Sequence, residues 1–173
     1  MTSTIKTRVF SLLALLSLNS CGELYNITNR CTSSHVNPDW DALERDRVQA
    51  EARWRANKPS NYYRYTYRSL GFSLRQNIYV EVSGSSVTVF DGTGKVLSSE
   101  NAQYYGPVEN LFSSLRSSIT NRSSACLTAS VKYNSSMGYP ETFSVADEKE
   151  GLQDAFGGFT VTNFDLSPPI PHP

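Results

Sequence analysis

The spacing of hydrophobic positions predicts a helix near the start of the globular part of the chain. Trp40, Leu43, Ala50 and Trp54 recur at helical spacing. Asn37-Pro38 supplies a start signal, and the polar run 57–59, which ends in proline, supplies a stop signal. We therefore predict a helix from residue 38 to about residue 56.

After residue 59 the period changes to two, which is typical of strands. Tyr63, Tyr65 and Tyr67 alternate with Arg64, Thr66 and Arg68, so the two sets face opposite sides of a predicted strand. Further alternating segments at 78–82, 87–90 and 95–97 are separated by short Gly- and Ser-rich turns. This spacing predicts an antiparallel meander.

A second helix is predicted after Pro107, and three more strands follow it. Its apolar stripe is formed by Val108, Leu111, Phe112, Leu115 and Ile119. The strands are predicted at 127–133, 142–146 and 159–164. The order α-β-β-β-α-β-β-β predicts an α+β fold, in which an antiparallel β-sheet of about six strands carries two packed helices. We expect this single domain to span 38–165, followed by a proline-rich tail at 166–173.

The first residues have the pattern of a bacterial lipoprotein signal peptide, 1–20. Lys6 and Arg8 precede an apolar run, 9–18, that is too short to span a bilayer of about 30 Å. Leu18-Asn19-Ser20-Cys21 then resembles a lipobox, which predicts acylation of Cys21 and a flexible tether at 21–37. We expect an extracytoplasmic protein, lipid-anchored to the outer membrane and facing the periplasm if the cell has two membranes, because Gly22 is not the Asp that favours inner-membrane retention.

Composition limits the classes of partner. Removal of residues 1–20 leaves 153 residues, with 14 basic against 16 acidic side chains. A chain of this length can form one domain with a hydrophobic core. Its weak negative charge argues against nucleic acid as a binding partner. The expected membrane contact is through the acyl chains on Cys21.

The cysteines fit an oxidising compartment. If lipid occupies Cys21, then Cys31 and Cys126 remain as a candidate disulfide, with two separate thiols as the alternative. A rival interpretation is a glycosylated eukaryotic secreted protein, because Asn26, Asn121 and Asn134 each begin an Asn-X-Ser/Thr sequence. Such short matches arise by chance in a chain rich in Ser and Asn, so we favour the lipoprotein.

Candidate catalytic chemistry is sparse. His35 and His172 lie in the predicted tether and tail, where we expect neither imidazole to be held rigidly beside a nucleophile. We therefore predict no enzyme activity, no cofactor and no metal site. The acidic loop at 147–154 is interpreted as a solvated connector, with a weak cation site as the alternative.

Aromatic and basic side chains supply the strongest candidate interaction surface. Tyr62, Arg64, Arg68 and Tyr139 are its predicted members, since aromatic rings and guanidinium groups are enriched at protein interfaces. The tyrosines of the first strand have two interpretations. They form either an exposed platform or, as their clean alternation favours, part of the core under the helices.

Several motifs resemble a bacterial lipoprotein family that is known only as a domain of unknown function, number 6174. They are the strings Arg53-Trp54, 59–68 (PSNYYRYTYR), 108–112 (VENLF), 131–140 (VKYNSSMGYP) and 158–164 (GFTVTNF). The resemblance covers about 40–165. It implies an envelope lipoprotein with one small α+β domain, and it implies no reaction.

We expect a non-enzymatic docking module that binds another envelope component, either a protein or peptidoglycan. The alternative is a periplasmic carrier of a small apolar or glycan ligand, with an aromatic pocket between helix and sheet. A closed apolar cavity favours the carrier, whereas a filled core with an exposed aromatic patch favours docking.

Overall fold

A computed structural model describes residues 30–71, 77–122, 124–152 and 155–167. Helix α1 spans Trp40–Asn57 and is capped by Asp39, whose side chain accepts a hydrogen bond from the Ala42 N–H at 2.8 Å. The helix predicted from the start signal at Asn37-Pro38 therefore begins two residues later than expected. An Asp side chain satisfies a free helix N–H as well as Asn does, and here Asp39 is the residue that does so.

Six strands and two further helices follow α1. The strands are β1 (Tyr62–Leu70), β2 (Asn77–Ser83), β3 (Ser86–Phe90), β4 (Leu127–Tyr133), β5 (Pro140–Asp147) and β6 (Phe156–Asp165). Helix α3 spans Val108–Thr120 and buries the predicted apolar stripe. A short helix α2, Ser99–Ala102, was not predicted, because four residues are too few to show a period.

The strands form one antiparallel sheet in the order β3-β2-β1-β6-β5-β4. Two three-stranded meanders, β1–β3 and β4–β6, are joined where the first strand pairs with the last. This arrangement confirms the predicted α+β fold with its six-stranded antiparallel sheet and packed helices. Residues 95–97 extend the β3 edge, since Val96 bridges Phe90 and the Leu97 N–H donates to the Val89 carbonyl at 2.8 Å.

One side of the sheet, which we call the inner face, is covered by α1 and α3. Trp54 of α1 meets Tyr63 edge-on, with ring centroids 5.4 Å apart, and Phe164 at 6.0 Å. Tyr139 stacks on Phe164 at 4.3 Å. Aromatic rings in these edge and stacked arrangements bury large areas and attract one another beyond that burial. The interpretation of the alternating tyrosines as core residues is therefore confirmed for Tyr63 and Tyr65, which are buried here.

A disulfide joins the start of the described chain to the sheet. Cys31 and Cys126 are bonded, with Cα atoms 5.2 Å apart, which confirms the predicted pairing. The Thr32 N–H donates to the Glu148 carbonyl at 2.8 Å, and Cys31 bridges Lys149. The last part of the predicted tether therefore lies against the domain, while Cys21 and the rest of 21–29 lie outside the described residues.

Candidate functional site

The opposite side of the sheet, which we call the outer face, carries a half-open cleft. This outer-face cleft has a volume of about 510 Å³ and extends over β3, β2, β1 and β6. Its lining residues outside the core are Arg64, Thr66, Tyr79, Glu81, Phe90, Gly94, Asn163 and Asp165. A volume of this size is within the range of ligand sites in proteins.

Strand register explains why these side chains meet. Tyr79 of β2 lies between Thr66 of β1 and Phe90 of β3. Two residues further along β2, Glu81 pairs with Arg64 of β1. Arg64 in turn pairs with Asp165 of β6. Because side chains alternate between faces, burial of Val80 and its neighbours on the inner face leaves Tyr79 and Glu81 on the outer face.

Arg64 and Asp165 form the charged part of the cleft. Asp165 Oδ2 accepts hydrogen bonds from Arg64 Nε at 3.1 Å and from Nη2 at 2.6 Å. Asp165 Oδ1 also accepts a bond from the Ser167 backbone N–H at 2.9 Å. The Ser167 N–H and the Arg64 guanidinium together lower the pKa of Asp165 to about 2. The pair therefore stays ionised at any physiological pH.

A bulge in β6 brings Asp165 to this position. Thr162 pairs with Thr66 and Asp165 pairs with Arg64, so β6 has one residue more than β1 between these two pairs. Asn163 adopts φ 52°, a left-handed conformation that Asn tolerates better than most residues. Its side-chain amide donates to Thr66 Oγ1 at 3.3 Å. The extra residue places Phe164 on the inner face and Asp165 on the outer face.

Tyr62 lies beside the cleft on the same face. Its hydroxyl is buried and has no hydrogen-bond partner of good geometry among the described residues. Burial raises the pKa of this hydroxyl, and the negative charge of Glu81 raises it further. A buried donor without a partner is a place where a bound group could add a hydrogen bond.

The predicted surface residues divide between the two faces. Tyr62, Arg64 and Arg68 share the outer face, and Arg68 is exposed beside the cleft. Tyr139 does not join them: it is only 8% exposed and stacks on Phe164 in the core. Sequence reasoning missed Tyr79, Glu81, Asn163 and Asp165. The alternation of 77–83 could have shown Tyr79 and Glu81, whereas the β6 bulge left no visible signal.

His35 differs from its expected setting. Its side chain is 10% exposed, and Nδ1 lies 3.4 Å from Glu148 Oε2. The prediction that this histidine lies in a loose segment is therefore wrong, because the disulfide and the hydrogen bonds of 30–32 hold the segment down. His172 and Asp154 lie outside the described residues.

The acidic loop has internal partners. Asp147 accepts a hydrogen bond from Ser124 Oγ at 2.9 Å, and Lys149 Nζ lies 3.8 Å from its carboxylate. In the described part of the chain, no group of three or more His, Cys, Asp or Glu side chains is placed to hold a metal ion. The same residues include no helix long and apolar enough to cross a membrane.

Buried side chains of the described residues occupy the layer between the helices and the sheet. Trp54, Leu115 and Val80 are fully buried there, and the Tyr65 hydroxyl donates to the Gly106 carbonyl. A second, smaller cleft of about 370 Å³ is lined by Lys58 and Glu109, which form an ion pair with Nζ and Oε1 3.0 Å apart. The outer-face cleft is therefore the stronger candidate site.

Comparison with known proteins gives a family but no activity. No curated protein matches this chain. A family model described as "Family of unknown function (DUF6174)" matches residues 46–166, which include both meanders and every residue of the outer-face cleft. Since this match covers more than half of the chain, the protein belongs to the DUF6174 family.

Proposed function

We propose that this protein is a non-enzymatic lipoprotein of the bacterial envelope that docks another envelope component through the outer face of its sheet. One observation carries the proposal. The aromatic residues under the helices belong to the core, while Tyr79, Phe90 and the Arg64–Asp165 pair line an open cleft on the face that no described helix covers. An exposed aromatic group beside satisfied charges is typical of a binding surface.

The anchor is the second part of this proposal. Acylation of Cys21 would hold the protein at the membrane, since stable attachment needs more than one chain and an acylated lipoprotein cysteine carries two or three. Nine residues lie between Cys21 and Cys31, so the two Cα atoms are at most about 35 Å apart. The domain would therefore work close to the membrane surface.

Crosslinking in native cells tests the proposal. The lipoprotein is crosslinked, solubilised in detergent and affinity-purified beside a Cys21→Ser version. We expect one envelope component to be recovered reproducibly with the acylated form and to be lost without the anchor. Recovery of the lipoprotein alone in both samples would contradict the docking function.

A pair of variants links that partner to the cleft. Arg64→Ala removes one member of the cleft ion pair. Lys132→Ala is the matched control, because it removes a 2.8 Å ion pair with Glu141 outside the cleft. We expect recovery of the partner to fall for Arg64→Ala and to stay unchanged for Lys132→Ala. Equal recovery with both variants would exclude the cleft as the docking surface.

A further inference from the structure

The shape of the outer-face cleft suits an extended ligand. The cleft crosses four neighbouring strands, which corresponds to about 14 Å at the usual strand spacing. It is half open, so a chain can lie in it with both ends in solvent. A small apolar ligand would instead favour an enclosed site that hides most of its surface.

Tyr79 supplies an aromatic platform in this cleft. Its side chain is 39% exposed, and register places it between the hydroxyl of Thr66 and the ring of Phe90. The face of an aromatic ring carries a partial negative charge and attracts C–H groups with partial positive charge. One face of a sugar ring presents a row of such C–H groups, while its edge presents hydroxyls.

The polar side chains around Tyr79 match those hydroxyls. Asp165 occupies two of the N–H groups of Arg64 and leaves the others available to donate. Glu81 forms no ion pair among the described residues and can accept from two neighbouring hydroxyls. Asn163 offers an amide that both donates and accepts. Donors and acceptors therefore alternate within one site.

The charge of the cleft argues against a charged polymer. Its lining holds one basic and two acidic side chains, Arg64 against Glu81 and Asp165, and the exposed Arg68 lies just outside. The outer face beyond them is rich in hydroxyls, with the register partners Thr160 and Thr142 beside Arg68. A polyanion requires a basic surface, and a polycation requires a strongly acidic one. A neutral polyhydroxyl chain requires neither.

We propose that the outer-face cleft binds a neutral glycan strand, with Tyr79 stacking on a sugar ring and Arg64, Glu81 and Asn163 hydrogen-bonding its hydroxyl and amide groups. This assignment rests on the proposed docking function and names its ligand. A protein partner at the same face is the competing outcome of the test.

Titration calorimetry with the mature Cys21→Ser chain tests the glycan assignment. The probe is the soluble tetramer of N-acetylglucosamine, and co-sedimentation with purified peptidoglycan sacculi gives a second readout. We expect both to bind, Tyr79→Phe to retain affinity, and Tyr79→Ala to weaken it by about fivefold to tenfold. Raising NaCl from about 0.05 to about 0.5 M should change the affinity for the tetramer little, because this probe is uncharged and the salt has no charge on it to screen.

Phe156→Ala is the matched control, since Phe156 is a similarly exposed aromatic residue (44%) on the outer face but outside the cleft. We expect it to bind both probes as the unsubstituted chain does. Absence of binding to both probes, or equal weakening by Tyr79→Ala and Phe156→Ala, would overturn the glycan assignment. If crosslinking in cells still recovers a protein that depends on Arg64, the docking function stands and its partner is that protein.

Discussion

Gly138 shows how one residue sets the contact between a turn and a helix. It has φ +88°, and a Cβ at this position would lie 2.3 Å from the Ala50 carbonyl oxygen and 2.9 Å from the Trp54 nitrogen. The turn therefore touches the backbone of α1. This close approach brings the next residue, Tyr139, onto Phe164.

We predict that Gly138→Ala lowers the free energy of unfolding by more than about 2 kcal/mol, because it adds a clash to an unfavourable φ. Gly84→Ala is the control, since Gly84 also has positive φ but a methyl group added there would meet no atom within 4 Å. It should cost only about 1 kcal/mol. Urea denaturation of both variants measures the difference, and equal losses would show that the clash is relieved.

We predict that alkali lowers the stability of the fold, because it favours ionisation of tyrosines that are buried in the folded chain. Burial raises the pKa of Tyr63 to about 12, and it raises the pKa of Tyr65 as well. Above a pH of about 10 the unfolded chain loses these protons while the folded chain keeps them, so stability falls as pH rises. For Tyr63 we expect a loss of about 1.4 kcal/mol per pH unit between about pH 10 and about pH 12.

Denaturation at about pH 9 and about pH 11.5 measures this loss. Tyr63→Phe removes one ionisable group and should flatten the decline, although the variant loses the hydrogen bond that Tyr63 Oη accepts from the Val108 N–H. Tyr104→Phe, at a residue 77% exposed, should leave the decline unchanged. If Tyr63→Phe and the unsubstituted chain lose stability equally as pH rises, groups other than Tyr63 cause the loss.

Arg47 is a buried residue whose burial the hydrophobic pattern could not predict. It lies at helical spacing between Leu43 and Ala50, yet a charged residue is not expected on a buried face. In the structure it is 3% exposed and hydrogen-bonded to Glu44 at 2.7 and 2.8 Å, with Glu51 as its other partner. The spacing alone could place Arg47 on this face, but only the neighbouring carboxylates explain why it is stable there.

At the scale of elements, the bulge in β6 decides which side chains reach each face. Alternation from Phe159 and Val161 would place residue 163 in the core. The bulge places Phe164 there instead. Deleting Asn163 would place Phe164 directly after Thr162, in the inner position that alternation assigns to the next residue, and would leave Asp165 on the outer face beside Arg64.

We predict that the deletion lowers the free energy of unfolding by only about 1 kcal/mol, because it removes the Asn163–Thr66 hydrogen bond but keeps Phe164 on the inner face. Asn163→Gly should cost a similar amount, because it removes the same hydrogen bond while glycine adopts the positive φ readily. Chemical denaturation compares the two. A loss of about 3 kcal/mol or more for the deletion would mean that the extra residue is needed to keep Phe164 in place.

Local pattern and long-range pairing differ in how far sequence can predict them. Alternation alone identified the faces of Tyr63 and Arg64, and the helical stripe of Val108–Thr120 was correct. The cleft, in contrast, needs β1 to pair with β6 across about a hundred residues. No local preference specifies such a partner, so Asp165 could not be assigned to Arg64 from the sequence.

At the scale of the whole molecule, the disulfide joins cysteines 95 residues apart and closes a loop that contains α1, the first meander and α3. We predict that Cys31→Ser with Cys126→Ser lowers the free energy of unfolding by about 4 kcal/mol, mainly by freeing the unfolded chain. Denaturation with and without a reductant checks this. A reductant that changed the stability of the double variant too would indicate a different cause.

Localisation is the other prediction at this scale. If the cell has two membranes, we expect the acylated protein to sediment with outer-membrane markers in a sucrose gradient. Cys21→Ser should move it to the soluble periplasmic fraction, because one Cys carries all the lipid. Sedimentation of the unsubstituted protein with inner-membrane markers would refute the predicted membrane.

The position of the disulfide has a mechanical consequence. Cys126 precedes β4 at one end of the strands, whereas Asp165 closes β6 at the opposite end. A pull between a membrane anchor at Cys21 and a partner in the cleft would pass through the Cys31–Cys126 bond and bypass α1. It would load the strands along their length, so the ladder hydrogen bonds, which are perpendicular to the strands, would share the force. The domain would then resist tension by shear, with its helices outside the path of the load.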